Sequence, residues 1–233
     1  MICKIIINLL CSIIFFYLID FIIFIIGDNN KNRRWYLVHA IANTFVVYYG
    51  INNLVECFKD PFLIMKEKYS KNTFLLDFVV ALHLYHIINS YKNLRLIDWI
   101  HHLVSCILVG YSSLLVCNEK MINYILFFIC GLPGGIDYYL LSLEKYNIIN
   151  KLFEKKINIY LHMCIRLPGI LFGAFIVYLN LIYNPYKNYN YCENIILLLI
   201  MILNCINAIY FSIDVCVNYG YKLKLLEDIL INF

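Results

Sequence analysis

The chain has 233 residues, of which 63% are apolar and 15% charged, with a formal net charge of +4. Its apolar residues run in long blocks rather than the interrupted stripes of a soluble helix, which excludes an ordinary soluble domain and marks an integral membrane protein. The small positive balance is ordinary for such a chain and supplies no nucleic-acid surface.

A bilayer core about 30 Å thick needs roughly 20 apolar residues of helix. Seven segments meet or approach that length: 5–26, 35–57, 73–90, 99–117, 121–143, 159–183 and 194–219. The expected fold is therefore all-α, a polytopic bundle of seven transmembrane helices. The first segment is longer than the core of a secretion signal, and no small-residue cleavage site follows "FIIFIIGDNNKNRR", so it reads as a span. The longest links, 58–72 and 144–158, are too short for a soluble domain, and neither a Gly/Ser linker nor a repeat period is present. The abundance of Ile, Asn, Lys and Tyr reads as coding bias, without functional content.

Strict alternation of the spans puts 11 Lys and Arg on one face and 7 on the other. The positive-inside rule then predicts an outside amino terminus and a cytosolic tail. Ten cysteines form no C-x-x-C and fall mostly inside spans, where they act as small hydrophobes. Cys57, Cys117 and Cys192 fall at span ends on the non-cytosolic face. A disulfide is permitted there if that face is a lumen, although its pairing is not legible in the sequence.

Titratable groups inside hydrocarbon are costly and are by default functional or paired. Within the seven segments they are Asp20, His39, Glu56, Asp77, His83, His86, His101, His102, Asp137, His162, Arg166 and Asp214. All except Glu56 and Asp77 fall in the half nearer the more basic face. Snorkelling to the headgroups would populate both ends alike, so a shared cavity opening toward the cytosol is the expectation. In "LIDWIHH", Asp98 lies where its carboxylate can reach His101 or His102 and fix a tautomer. Adjacent helical positions point about 100° apart, so the two histidines can both line a wide cavity but cannot act as equivalent groups on one atom.

His83 shares a helix face with His86, as does His162 with Arg166. Hydrogen bonding between helices is the favoured role of His83 and His86. Arg166 is the only Lys or Arg inside a span, and either an anionic substrate group or a carboxylate such as Asp137 would offset its desolvation. "CGLPGGIDYYLL" places Gly131, Pro133, Gly134 and Gly135 just before Asp137, which predicts a kink or break there. Gly131 with Gly135, and Gly169 with Gly173, also have the G-x-x-x-G spacing of close helix packing.

"WIHHLVSCILVGYSS", then "GGIDYYLL", then the arginine and proline of "CIRLPGI" together resemble the core of TLC-domain proteins, the group that includes the ceramide synthases. The resemblance covers about residues 35–220. It implies a six-helix bundle around a central cavity over 35–220, an additional N-terminal helix and link over 1–34, and a short cytosolic tail over 221–233. In the ceramide synthases the histidine pair and aspartates of the next helix carry acyl transfer from a coenzyme A thioester to a sphingoid amine. By that resemblance His101 and His102 match the pair and Asp137 the last aspartate. Where a His-Asp would precede it, this chain reads Leu-Pro-Gly, which points to the wider membership of lipid-handling and lipid-sensing proteins. An endoplasmic-reticulum membrane address is implied by the resemblance alone.

The resulting expectation is a lipid-modifying protein. His101 and His102, oriented by Asp98 or Asp137, take a proton from an amine or hydroxyl or attack a thioester. Arg166 holds a phosphate or developing negative charge, and His39, His83, His86 and His162 line the substrate cavity. The partners expected are a membrane lipid and acyl-CoA as co-substrate, with no bound cofactor and no nucleic acid; a homodimer is left open. A second reading keeps the cavity without catalysis, as a lipid binder, transporter or sensor. A metal enzyme is disfavoured, because the six histidines include neither an H-x-x-H-H nor an H-x-x-x-H box, and no metal ligand is assigned. A seven-span receptor would not require a histidine layer.

Overall fold

A computed structural model describes residues 2–62, 72–183 and 189–231. The regular structure among these residues is helical throughout. It consists of α1 (Ile2–Ile25), α2 (Lys31–Lys59), α3 (Phe74–Ser90), α4 (Leu96–Tyr111), α5 (Glu119–Lys145), α6 (Lys151–Tyr183) and α7 (Tyr191–Ile231). Each of the seven apolar segments falls on one of these helices. Four of them, α1, α5, α6 and α7, are long and apolar enough to cross a membrane, whereas α3 and α4 are shorter apolar helices. At 29 residues α2 has the length, but Arg33, Arg34, Asn43, Asn52 and Asn53 dilute its apolar character. α7 runs unbroken through residue 220 to Ile231, so the expected tail begins as a continuation of the last helix.

The polar links set the helix starts. Asn30 accepts hydrogen bonds from the backbone N–H groups of Asn32 and Arg33 at 3.0 and 3.2 Å. Asn118 and Asn150 do the same for Met121 and Phe153, at 3.0 and 2.7 Å. Each side chain satisfies donors that the first turn leaves without an intrahelical partner.

α2 packs along α5, α1 along α3, and α6 along α7. α1 is fixed by aromatic contacts, with Phe16 edge-on to Phe78 of α3 at 4.9 Å between centroids. α5 and α6 meet at Gly169, where a Cβ would fall within the ring of Phe128. There the Tyr124 hydroxyl donates to the Gly169 carbonyl at 2.9 Å. α2 and α5 approach at Gly134, where a Cβ would lie 2.8 Å from the Asn43 amide nitrogen. Both glycine-rich stretches thus permit close helix contact. Large apolar side chains such as Leu10, Phe175, Ile202 and Ile206 remain exposed on the outer faces, as a lipid-facing surface requires.

Instead of a break near Pro133, α5 has a π-wound turn over Phe127–Gly131 and then continues as α-helix. Proline lacks the N–H that would bond one turn back, and the wider winding absorbs the mismatch. Two further π-wound stretches occupy Val104–Tyr111 of α4 and Leu161–Arg166 of α6. Cys57 and Cys192 are free thiols, and every pairing among the three face cysteines includes one of them.

Candidate functional site

α2 to α6 each contribute to a single cavity of about 660 Å³, completed by α7. α2 supplies His39, α3 His83 and His86, α4 Asp98, His101 and His102, α5 Asp137, and α6 His162 and Arg166. The nine residues given site roles from the sequence therefore line one chamber. The side chains outside it are accounted for by pairs: Asp20 with Arg34 at 2.9 Å and Glu56 with Lys120 at 2.7 Å. Asp77 accepts from Asn8 of α1 and from Thr73, both at 2.7 Å. Asp214 lines the cavity and accepts from Asn218 at 3.0 Å.

The imidazoles form a layer. His83 Nδ1 lies 2.8 Å from His102 Nδ1, a contact that requires an N–H on one ring and a lone pair on the other. This is the interhelical hydrogen bond expected for His83. His86 packs 5.0 Å from His102 and 4.9 Å from Trp35 between centroids. His39 Nδ1 is 2.8 Å from the Trp35 carbonyl oxygen, which can only accept. His39 therefore carries its proton on Nδ1 and keeps a lone pair on Nε2. His101 Nδ1 is 3.3 Å from the Ser105 hydroxyl, so the adjacent histidines are inequivalent, as their helical spacing implies.

Asp98 behaves differently from expectation. Its carboxylate caps the start of α4, accepting from the Arg95 backbone N–H at 2.9 Å, and pairs with the Arg95 guanidinium at 3.1 Å. The capping geometry aims it back along the chain, and it acts on His101 and His102 through its field alone. Among the described residues Arg166 is bonded to neither a carboxylate nor a backbone carbonyl. Its Nη2 donates to Asn207 Oδ1 at 2.8 Å, its guanidinium lies 5.1 Å from the centre of the Phe211 ring, and its buried Nε–H has no partner. Asp137 Oδ1, His102 Nε2 and His162 Nδ1 are also buried without partners among the described residues. Buried polar atoms are nearly always satisfied, so this concentration of unused donors and acceptors marks a place where polar ligand atoms fit.

Sequence reasoning missed the amides. Asn43, Asn158 and Asn204 line the cavity with a buried carbonyl oxygen left over, but in an Asn-rich chain they carried no signal. It also placed Glu154 in a link, whereas the side chain is fully buried in α6 and pairs with Lys155 at 3.2 Å. Glu154 and Lys155 belong to a second pocket of about 300 Å³ that also receives Lys145, Lys151 and Lys222. Asn218 lines both the histidine chamber and this second pocket, where Glu144 and Glu154 stand among the lysines.

At the same end the links are tied together. Asp28 accepts from the Arg33 guanidinium at 2.8 Å, from the Asn30 N–H at 2.9 Å and from the Tyr146 hydroxyl. Burial alone would raise its carboxyl, but these hydrogen bonds and the Arg33 charge hold it below its ordinary value.

Comparison of the chain with family models, with curated proteins and with solved structures returns no match.

Proposed function

We propose that the protein is a membrane-embedded lipid-modifying enzyme of TLC type, transferring an acyl group from acyl-CoA to a lipid amine or hydroxyl. The observation that carries this reading is the convergence of all six histidines with Asp98, Asp137, Arg166 and Asp214, from helices α2 to α7, on one cavity with an apolar remainder. His102 is the base. With its Nδ1 turned to His83, the unpartnered Nε2 is the nitrogen left to face an acceptor. The acceptor N–H or O–H gives its proton to that nitrogen while the heteroatom bonds to the thioester carbonyl carbon. The C–S bond then breaks, and the leaving thiolate takes the proton back as free CoA. His83 positions the base, and the free Nε–H of Arg166 is suited to the oxyanion formed in between. In the second pocket Lys145 and Lys155 are paired with Glu144 and Glu154 at 3.0 and 3.2 Å, and Lys151 and Lys222 supply charge suited to the phosphates of the donor.

The test is acyl transfer by protein purified in detergent, with a panel of acyl-CoA donors and with sphingoid amine and glycerolipid hydroxyl acceptors. Wild type should form product, and His102→Ala should lower turnover by roughly 10²–10⁴-fold. If both His101→Ala and His102→Ala turn over at the wild-type rate, the assignment is wrong.

One observation favours a second reading, lipid binding without chemistry. No carboxylate hydrogen-bonds to any of the imidazoles among the described residues, Asp98 being held by Arg95. Under this reading lipid co-purifies with wild type and with both histidine variants alike, and no product forms from any donor.

A further inference from the structure

His83, His101 and His102 bring three ring nitrogens, one from each, to within 4.8 Å of one another. We propose that these three imidazoles form a binding site for a zinc-class divalent transition metal. Linear spacing conceals the set, because His83 comes from α3 and the other two from α4. A tetrahedral ion with metal–nitrogen bonds of about 2.0–2.1 Å spaces its donors roughly 3.3 Å apart. The contacts here, from 2.8 Å for His83 with His102 to at most 4.8 Å, bracket that spacing. To close on an ion, the widest of these separations must shorten toward that spacing.

The donor chemistry selects the class of metal. Three imidazoles suit zinc, which takes three protein ligands and an open fourth position at reactive sites. Non-haem iron would need a carboxylate beside two histidines, and the nearest acidic side chain on α4, Asp98, is closed off by Arg95. His101 has the outer support that metal-bound histidines generally show, with the Ser105 hydroxyl 3.3 Å from its Nδ1. All three rings line the cavity, so the fourth position opens into it, toward water or a lipid oxygen. The Arg166 charge opposes a second cation at His101, and the Asp98 field favours one. The site shares His83, His101 and His102 with the acyl-transfer reading but does not rest on it, since metal retention is read without any acyl donor. A bound ion occupies the lone pairs that a free imidazole base needs, so the metal-loaded form would not perform that transfer.

The test uses the full chain in detergent, without acyl donor. The protein is equilibrated with Zn²⁺, desalted and analysed for bound metal, and Co²⁺ serves as the spectroscopic probe. Wild type should hold one Zn²⁺ per chain and give the intense visible bands of four-coordinate Co²⁺. His83→Ala, His101→Ala and His102→Ala should each weaken Zn²⁺ binding at least about 100-fold. His162→Ala, an imidazole of the same cavity outside the set, should bind as wild type does. Unfolding temperature without metal identifies any variant that fails to fold, and His83→Gln replaces His83→Ala in that case. The proposal is overturned if wild type retains no Zn²⁺, if the folded triad variants bind as wild type does, or if a cobalt–thiolate charge-transfer band shows that a cysteine is the ligand.

Discussion

His102 occupies the position where sequence and structure meet most closely. It is buried, one ring nitrogen engages His83 across the helix boundary, and the other is buried without a partner among the described residues. Its candidacy was legible because two adjacent imidazoles in an apolar run have no inexpensive structural explanation. Its partner was misjudged: proximity in sequence pointed to Asp98, whereas the capping demand of the α4 start took that carboxylate away. Asp28 shows the same competition among local demands, and its state can be tested by pH. Its folded carboxyl titrates below the ordinary 3.8, so the stability it contributes is present above that value and is lost as pH falls through the folded value. Asp28→Asn should cost roughly 1 kcal/mol at neutral pH. Thermal unfolding from pH 6 down to pH 3 should show the gap between wild type and Asp28→Asn narrowing below about pH 4. A gap that is constant over this range would refute the role given to the carboxylate.

At the scale of elements, the seven helices could be read from apolar blocks alone. The three π-wound stretches could not, because winding depends on how a helix is packed and leaves no periodic trace over five to eight residues. They adjoin the site: one begins two residues after His102, one ends shortly before Asp137, and one contains His162 and Arg166. Wider winding at such places redirects side chains toward a cavity. The glycine spacings were legible as a choice between a kinked backbone and close packing, and contact with Phe128 and Asn43 shows the packing role. Gly169→Ala, which drives a methyl group into the Phe128 ring, should destabilise by about 1–3 kcal/mol. Combining it with Phe128→Ala should cost less than the two single changes together, because the ring that meets the methyl is then absent. Additive losses in thermal unfolding would show that α5 and α6 do not meet there.

For the whole molecule, the distribution of charge along the chain foretold more than any motif. Placing the titratable groups in one half of the spans predicted a shared chamber, and helices α2 to α6 deliver all nine candidates to it. Side-chain depth is set by helix register, which hydropathy fixes to within a turn, so convergence was readable while individual partners were not. The α7 contribution of Asn204, Asn207 and Phe211 escaped notice because neutral amides and rings are common in this chain. What the chamber holds is tested most directly by photocrosslinking purified protein with an acyl-CoA carrying a diazirine near the end of its chain, followed by peptide mapping. The account predicts adducts on cavity residues such as Val109, Ile129 and Ile170, suppressed by excess unmodified acyl-CoA. Adducts confined to outward residues such as Phe175, Ile202 and Ile206, unaffected by the competitor, would contradict it.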